Sequence, residues 1–151
     1  MGELRDDRTG GRSSGRCGAG TVGVMNRQIA PAGIAQPAAN YAHAMVSIGA
    51  TRWLHTSGVV AAGPNGLVPD ELDDQAETIW RNLLIMLDEA EMEVSDIVSV
   101  TTYVVVGNDL SIVMAARDRV MGEHRAASTL VPVPALARPE WKMEIAIIAA
   151  A

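Results

Sequence analysis

The sequence contains few of the residues on which metal and cofactor sites usually depend. Cys17 is its one cysteine, so neither an internal disulfide nor a cluster of thiolate ligands can form. The three histidines, His43, His55 and His124, show none of the spacings typical of metal sites, and there is no P-loop or GxSxG motif. We therefore expect no metal and no cofactor, and we expect His55 to be a hydrogen-bonded histidine within a strand.

Aromatic residues and long apolar runs are also scarce. There is no Phe, with only three Trp and two Tyr, although 48% of the residues are hydrophobic. The core must therefore be mainly aliphatic. No apolar run reaches the roughly 18 residues that a membrane-spanning helix needs, and the N-terminus lacks the apolar stretch of a signal peptide. We expect a cytoplasmic protein that does not bind a membrane.

Positive charge is the next deficit. The formal net charge is −6, and residues 1–25 contribute four Arg against three acidic residues, or +1, which leaves −7 for the rest. Nucleic-acid binding depends on Lys and Arg neutralising phosphates. The charge balance therefore argues against a nucleic-acid partner.

The chain divides into a short N-terminal segment and one domain. Residues 1–25 are rich in Gly, Arg and Ser and offer almost nothing to bury, so they are predicted to be a disordered extension. Met25 is then a candidate for the native translation start. Residues 26–151 have the length of one ordinary domain.

Periodicity within this domain predicts a β-β-β-α-β-α-β-β order. Apolar residues recur every three or four positions from Leu72 to Ala90 and again from Leu110 to Met121, which indicates two helices. Strand patterns for five of these six strands occupy residues 43–48, 52–62, 97–106, 128–133 and 141–149. Two helices can cover only one face of such a sheet, whereas strand 97–106 is apolar on both faces. We therefore expect the uncovered face to pack against other copies in an obligate oligomer.

One carboxylate, Glu144, interrupts the apolar C-terminal run 143–151. It could face water beside Lys142 at a sheet edge, or it could lie in a cleft for acid–base work. The hydroxyl groups and small backbone that could accompany it in a cleft belong to Tyr41, Ser57, Gly58, Ser128 and Thr129.

Several segments, in this order and spacing, resemble the RidA (YjgF-like) family of enamine/imine deaminases. They are residues 40–44, 56–58, the long acidic helix, 96–104, 127–133 and 143–147. The resemblance implies an α+β, chorismate-mutase-like fold with two helices on one face of a mixed sheet. It also implies a homotrimer whose inward sheet faces form a barrel, with a small-molecule cleft at each subunit interface.

The resemblance also assigns roles to individual residues. Tyr41 lines the cleft and assists catalysis, while Ser57 and Gly58 form its wall. Thr129 offers backbone groups to a substrate carboxylate. Glu144 falls on the family's acidic residue, which positions the water that hydrolyses the imine.

The sequence departs from this pattern at one decisive position. Deaminases of the family carry an Arg before the residue that is here Ser128, where it pairs with the substrate carboxylate, but this chain has Ala127. Arg125 would lie about 7 Å away on the same face of an extended strand, and it or Arg138 could substitute. Two functions remain open. One is hydrolysis of a reactive imine or enamine to a carbonyl compound and ammonia, and the missing Arg then implies either a substrate without an α-carboxylate or weak residual activity. The other is a non-catalytic trimer that binds a small metabolite.

Overall fold

A computed structural model of the chain describes residues 23–151. Residues 1–22 of the predicted N-terminal extension lie outside the described residues. The first strand begins at Met25. The elements follow the predicted order. They are β1 (Met25–Ile29), β2 (Ala44–Ile48), β3 (Trp53–His55), α1 (Leu72–Glu89), a 3₁₀ turn (Val94–Asp96), β4 (Ile97–Val105), α2 (Leu110–Met121), β5 (Ala127–Val133) and β6 (Met143–Ala150).

The strands form one mixed sheet and one separate ribbon. The sheet has four strands in the order β3-β6-β4-β5, and β6 runs antiparallel to both of its neighbours. The outer strand β5 is parallel to β4. Strands β1 and β2 pair with each other as an antiparallel two-stranded ribbon.

The strand predicted over residues 52–62 is much shorter, because a side chain interrupts its hydrogen bonding. Thr56 Oγ1 accepts the N–H of Ile147 at 3.0 Å, so this hydroxyl replaces the backbone carbonyl that a regular strand would offer. The chain then rejoins β6 only at Val59, whose N–H and C=O both pair with Ile145. Strand β3 therefore ends at His55.

Both helices pack on one face of the sheet. Trp80 and Leu83 of α1 are fully buried against Ile145 and Ile147 of β6 in an aliphatic core. Alternate residues of the strands point to the opposite side, which we call the open face. Its central positions, which are only half-buried, are Ser99, Thr101, Tyr103, Glu144, Ala146 and Ile148.

The ends of the helices are fixed by specific polar contacts. Arg52 donates to the carbonyls of Ala90 (3.0 Å) and Glu91 (3.2 Å) at the end of α1. Asp109 caps α2 by accepting from the side chain (2.7 Å) and the backbone N–H (2.9 Å) of Ser111, and these bonds lower the pKa of Asp109. Within residues 23–151, no helix combines the length and the apolar character needed to cross a membrane.

Candidate functional site

The carboxylate of Glu144 lies directly against the backbone of Gly58. A Cβ built on Gly58 would overlap that carboxylate and would lie 2.7 Å from Glu144 Cγ. Glycine is therefore required at position 58 if the acid is to keep this conformation. The two residues meet because Val59, next to Gly58, pairs with Ile145, next to Glu144.

Glu144 does not lie at a sheet edge. It is on β6, between β3 and β4, where its register partner on β4 is Tyr103. The side chain is half-buried on the open face, and among residues 23–151 its carboxylate has no hydrogen-bond donor and no cation within salt-bridge distance. A partly desolvated carboxylate with unused acceptor sites is suited to orienting a water molecule.

A second group of the predicted residues lies around the start of β5. The backbone N–H of Ala42 donates to Ala126 O at 2.9 Å, and Ala42 forms a parallel bridge with Ala127, so the adjacent Tyr41 is held near the start of β5. The Tyr41 ring meets the His43 ring edge-on, with centroids 5.8 Å apart and an interplanar angle of 86°.

The alternation of β5 separates the predicted residues of this strand. Ala127 and Thr129 share the open face, because their register partners are Ser99 and Thr101. Ser128 is in register with the buried Val100 and points toward the helices. There its Oγ lies 3.5 Å from a guanidinium nitrogen of the buried Arg117.

The two arginines considered as substitutes have local partners. Arg125 is exposed, and its Nε donates to Asn40 Oδ1 at 3.0 Å. The guanidinium of Arg138 lies 5.5 Å from the centroid of the Trp141 ring and 3.8 Å from Glu140 Oε1. Each of these two guanidinium groups therefore already interacts with a neighbouring side chain of the same chain.

The two groups of predicted residues are distant from each other within the chain. Glu144 is in register with Tyr103 and Thr129 with Thr101, so they are two residues apart along the strands and two strands apart across the sheet. This offset corresponds to about 12 Å between the Cα atoms of Glu144 and Thr129. Gly58 and Glu144 thus form one group of candidate residues, with Ser57 next to Gly58 in the sequence, and the residues near Ala127 form another.

A concavity that the sequence did not predict opens between the β1–β2 ribbon and the open face. Its volume is about 410 Å³, and its walls include Ala127, His43, Trp53 and His55. His55 lies in strand β3, as expected; it is exposed, and within residues 23–151 its ring has no hydrogen-bond partner. The alternation Trp53-x-His55 was the available signal, since it places both residues on one face of the strand.

Residues 23–151 contain no group of three or more His, Cys, Asp or Glu side chains placed to hold an ion.

Comparisons with known proteins identify the relatives of the chain. Residues 32–151 match the family described as endoribonuclease L-PSP. The structure of YyfB from Yersinia pestis, a protein of unknown function in the conserved Rid family, is similar, with 28% identity and a TM-score of 0.73. That match covers 83% of this chain and 98% of YyfB.

Two further structures share the fold. Escherichia coli TdcF with bound serine has 25% identity and a TM-score of 0.61, with 78% of this chain and 91% of TdcF covered. RidA from the Antarctic bacterium Psychrobacter sp. has 20% identity and a TM-score of 0.62, with 77% and 92% covered, and supports the fold alone. No curated protein matches the sequence.

Proposed function

This chain belongs to the endoribonuclease L-PSP family, which includes the Rid proteins, and on that premise we propose that it hydrolyses reactive imines or enamines. Both the family resemblance and the α+β fold predicted from the sequence are confirmed. The proposed products are a carbonyl compound and ammonia, formed in clefts at the interfaces of a homotrimer.

The observation that carries the proposal is the conformation of Glu144. Its carboxylate rests against Gly58 on a half-buried face and has no counter-charge in the described chain. A water molecule that donates to this carboxylate can add its oxygen to the imine carbon while a proton passes to the nitrogen. The resulting carbinolamine then breaks its C–N bond and releases ammonia. One positioned carboxylate contributes about 10²–10⁴-fold to such a proton transfer.

The separation of the two residue groups supports a site shared between protomers. Because Glu144 and Thr129 are far apart in one chain, we propose that a cleft combines the Glu144 group of one protomer with the Thr129 group of the next. The half-buried open face, which carries Trp53 at its rim with 52% of its surface exposed, is the surface that would associate. Sedimentation should give the mass of three 15.9 kDa chains, and a monomer would contradict this arrangement.

The residue at position 127 supports a substrate that lacks an α-carboxylate. A bidentate contact between Arg and a carboxylate contributes about 1.5–3 kcal/mol, so its loss weakens a carboxylated ligand roughly tenfold to more than a hundredfold. Ala127 cannot make that contact, and Arg125 and Arg138 are held by other partners. Glu144 would also repel a carboxylate.

One alternative function has a specific observation in its favour. The absence of a cation at Ala127 also fits a trimer that binds a small metabolite without reacting with it. TdcF, which has been crystallised with bound serine, is a relative that binds a small molecule and so supports this alternative. The ribonuclease activity named in the family's description fits less well, since the net charge of −6 would repel RNA.

A matched pair of substrates tests the proposal. Propan-1-imine, made in situ by an amine oxidase, differs from 2-iminobutyrate only in lacking the carboxylate. We expect wild-type protein to accelerate hydrolysis of propan-1-imine and to act poorly on 2-iminobutyrate. Ala127→Arg should improve 2-iminobutyrate hydrolysis at least tenfold. If wild type accelerates neither reaction, the binding function replaces the hydrolase.

A further inference from the structure

The concavity beside Ala127 is lined mainly by residues to which the sequence analysis assigned no role. We call it the Ala127 pocket and define it by His43, Trp53, His55, Ser99, Ala127 and Ile148. Its volume of about 410 Å³ lies within the range of small-molecule sites. With neutral histidines, none of the residues that line it is charged.

One wall of the Ala127 pocket is a pair of rings. The centroids of Trp53 and His55 are 6.4 Å apart and their planes are inclined by only 32°. Both rings belong to β3 and point to the open face, where β3 pairs with β6. The half-exposed indole lies at the rim of the proposed interface and offers an apolar surface on which a flat group held in the cleft can stack.

His43 adds a hydrogen-bond acceptor to the residues that line the pocket. His43 Nε2 lies 2.7 Å from the carbonyl oxygen of Ala35. A carbonyl can only accept, so Nε2 carries the proton, and the neutral ring keeps Nδ1 as an acceptor. Among residues 23–151 this Nδ1 has no donor, and the edge contact with Tyr41 limits rotation of the ring.

From these contacts we propose that the Ala127 pocket binds a planar, uncharged part of the substrate that carries an N–H donor. An aromatic imine or enamine without a carboxylate has this chemistry. The inference rests on the proposed function, because it assigns a substrate class to the same cleft. A carboxylate placed in the pocket would lose water without gaining a cation, which is unfavourable.

Ala127 determines this preference. The methyl side chain of Ala127 is short and uncharged, whereas a longer cationic side chain at this lining position would bring a charge to the pocket. Position 127 would therefore select between flat neutral ligands and carboxylated ones. The choice would be made on the open face, away from Glu144 in the same protomer.

Benzamide and benzoate test the proposal, because they share a ring and differ in charge. Binding of each to the full-length protein is measured by isothermal titration calorimetry or ligand-observed NMR. Benzamide should bind at least tenfold more tightly than benzoate. Trp53→Ala should weaken the binding of benzamide at least fivefold. The control variant Trp141→Ala, which lies outside the pocket, should leave the affinity for benzamide unchanged. Ala127→Arg should favour benzoate.

The outcomes separate this inference from the proposed function. The inference is overturned if wild type binds benzoate as tightly as benzamide or more tightly. It is also overturned if Trp53→Ala leaves the affinity for benzamide unchanged. If propan-1-imine is hydrolysed but benzamide does not bind, the substrate class is wrong and the hydrolase stands. If benzamide binds through Trp53 but no imine is hydrolysed, the Ala127 pocket stands and the hydrolase is wrong.

Discussion

Replacing Gly58 with Ala should separate activity from stability more clearly than any other single change. The new Cβ would lie 2.7 Å from Glu144 Cγ, whereas carbon atoms pack best at about 3.5–4.0 Å. It would also occupy the place of the carboxylate. The Glu144 side chain must therefore leave the position from which we propose that it orients water.

The two expected effects differ in size. A displacement of about 1 Å can cost roughly a hundredfold in rate, so we expect kcat/KM for propan-1-imine to fall by about that factor. The atoms displaced belong to a flexible side chain, and its move to another rotamer costs only about 1 kcal/mol. The free energy of unfolding, measured in urea, should therefore change by no more than about that amount.

A matched glycine and a double variant make the Gly58→Ala experiment specific. At Gly63 an added Cβ would approach Asn65 Oδ1 at 3.2 Å and would not meet Glu144, so Gly63→Ala should retain activity. In a Glu144→Gln background, Gly58→Ala should cause little further loss, because the group that it displaces no longer acts as a base. An equal loss in both backgrounds would refute the reasoning.

Three smaller predictions concern the helix ends. Arg52→Ala removes two hydrogen bonds to the carbonyls of Ala90 and Glu91, and urea denaturation should show a loss of about 1 kcal/mol; an unchanged midpoint would contradict this capping role. Glu91 has a positive φ of 53°, so Glu91→Gly should stabilise the fold by about 0.5–1 kcal/mol in the same assay. The hydrogen bonds from Ser111 lower the pKa of Asp109 from 3.8 in the folded protein. The stabilisation that the ionised carboxylate gives is therefore present above pH 3.8 and is lost as the pH falls through the lowered pKa of the folded state. The difference in melting temperature between wild type and Asp109→Ala should thus be larger at pH 7 than well below pH 3.8, and a constant difference would argue against the carboxylate as the cap.

The order of the elements could be predicted because the long elements have clear periods. The helix from Leu72 and the strand from Ile97 follow directly from their apolar spacing. The early end of β3 could not be predicted, since it depends on the Thr56 hydroxyl bonding to a strand distant in sequence. Local patterns carry no information about such a contact.

The candidate site was predictable only residue by residue. An isolated charge in an apolar strand marks Glu144, but its contact with Gly58 depends on the bridge between Val59 and Ile145. The distance from Glu144 to Thr129 follows from the register of three strands. The pocket beside Ala127 is formed where the ribbon lies over the sheet. These arrangements arise from long-range packing, which a single sequence does not reveal.

The rate of propan-1-imine hydrolysis by wild-type and Glu144→Gln protein tests the central claim most directly. Release of propanal or ammonia is followed at equal protein concentrations, with the spontaneous rate in buffer subtracted. The account predicts that wild type accelerates the reaction and that Glu144→Gln lowers the acceleration by about 10²–10⁴-fold while the fold is retained. Equal rates for the two proteins would contradict the role assigned to Glu144.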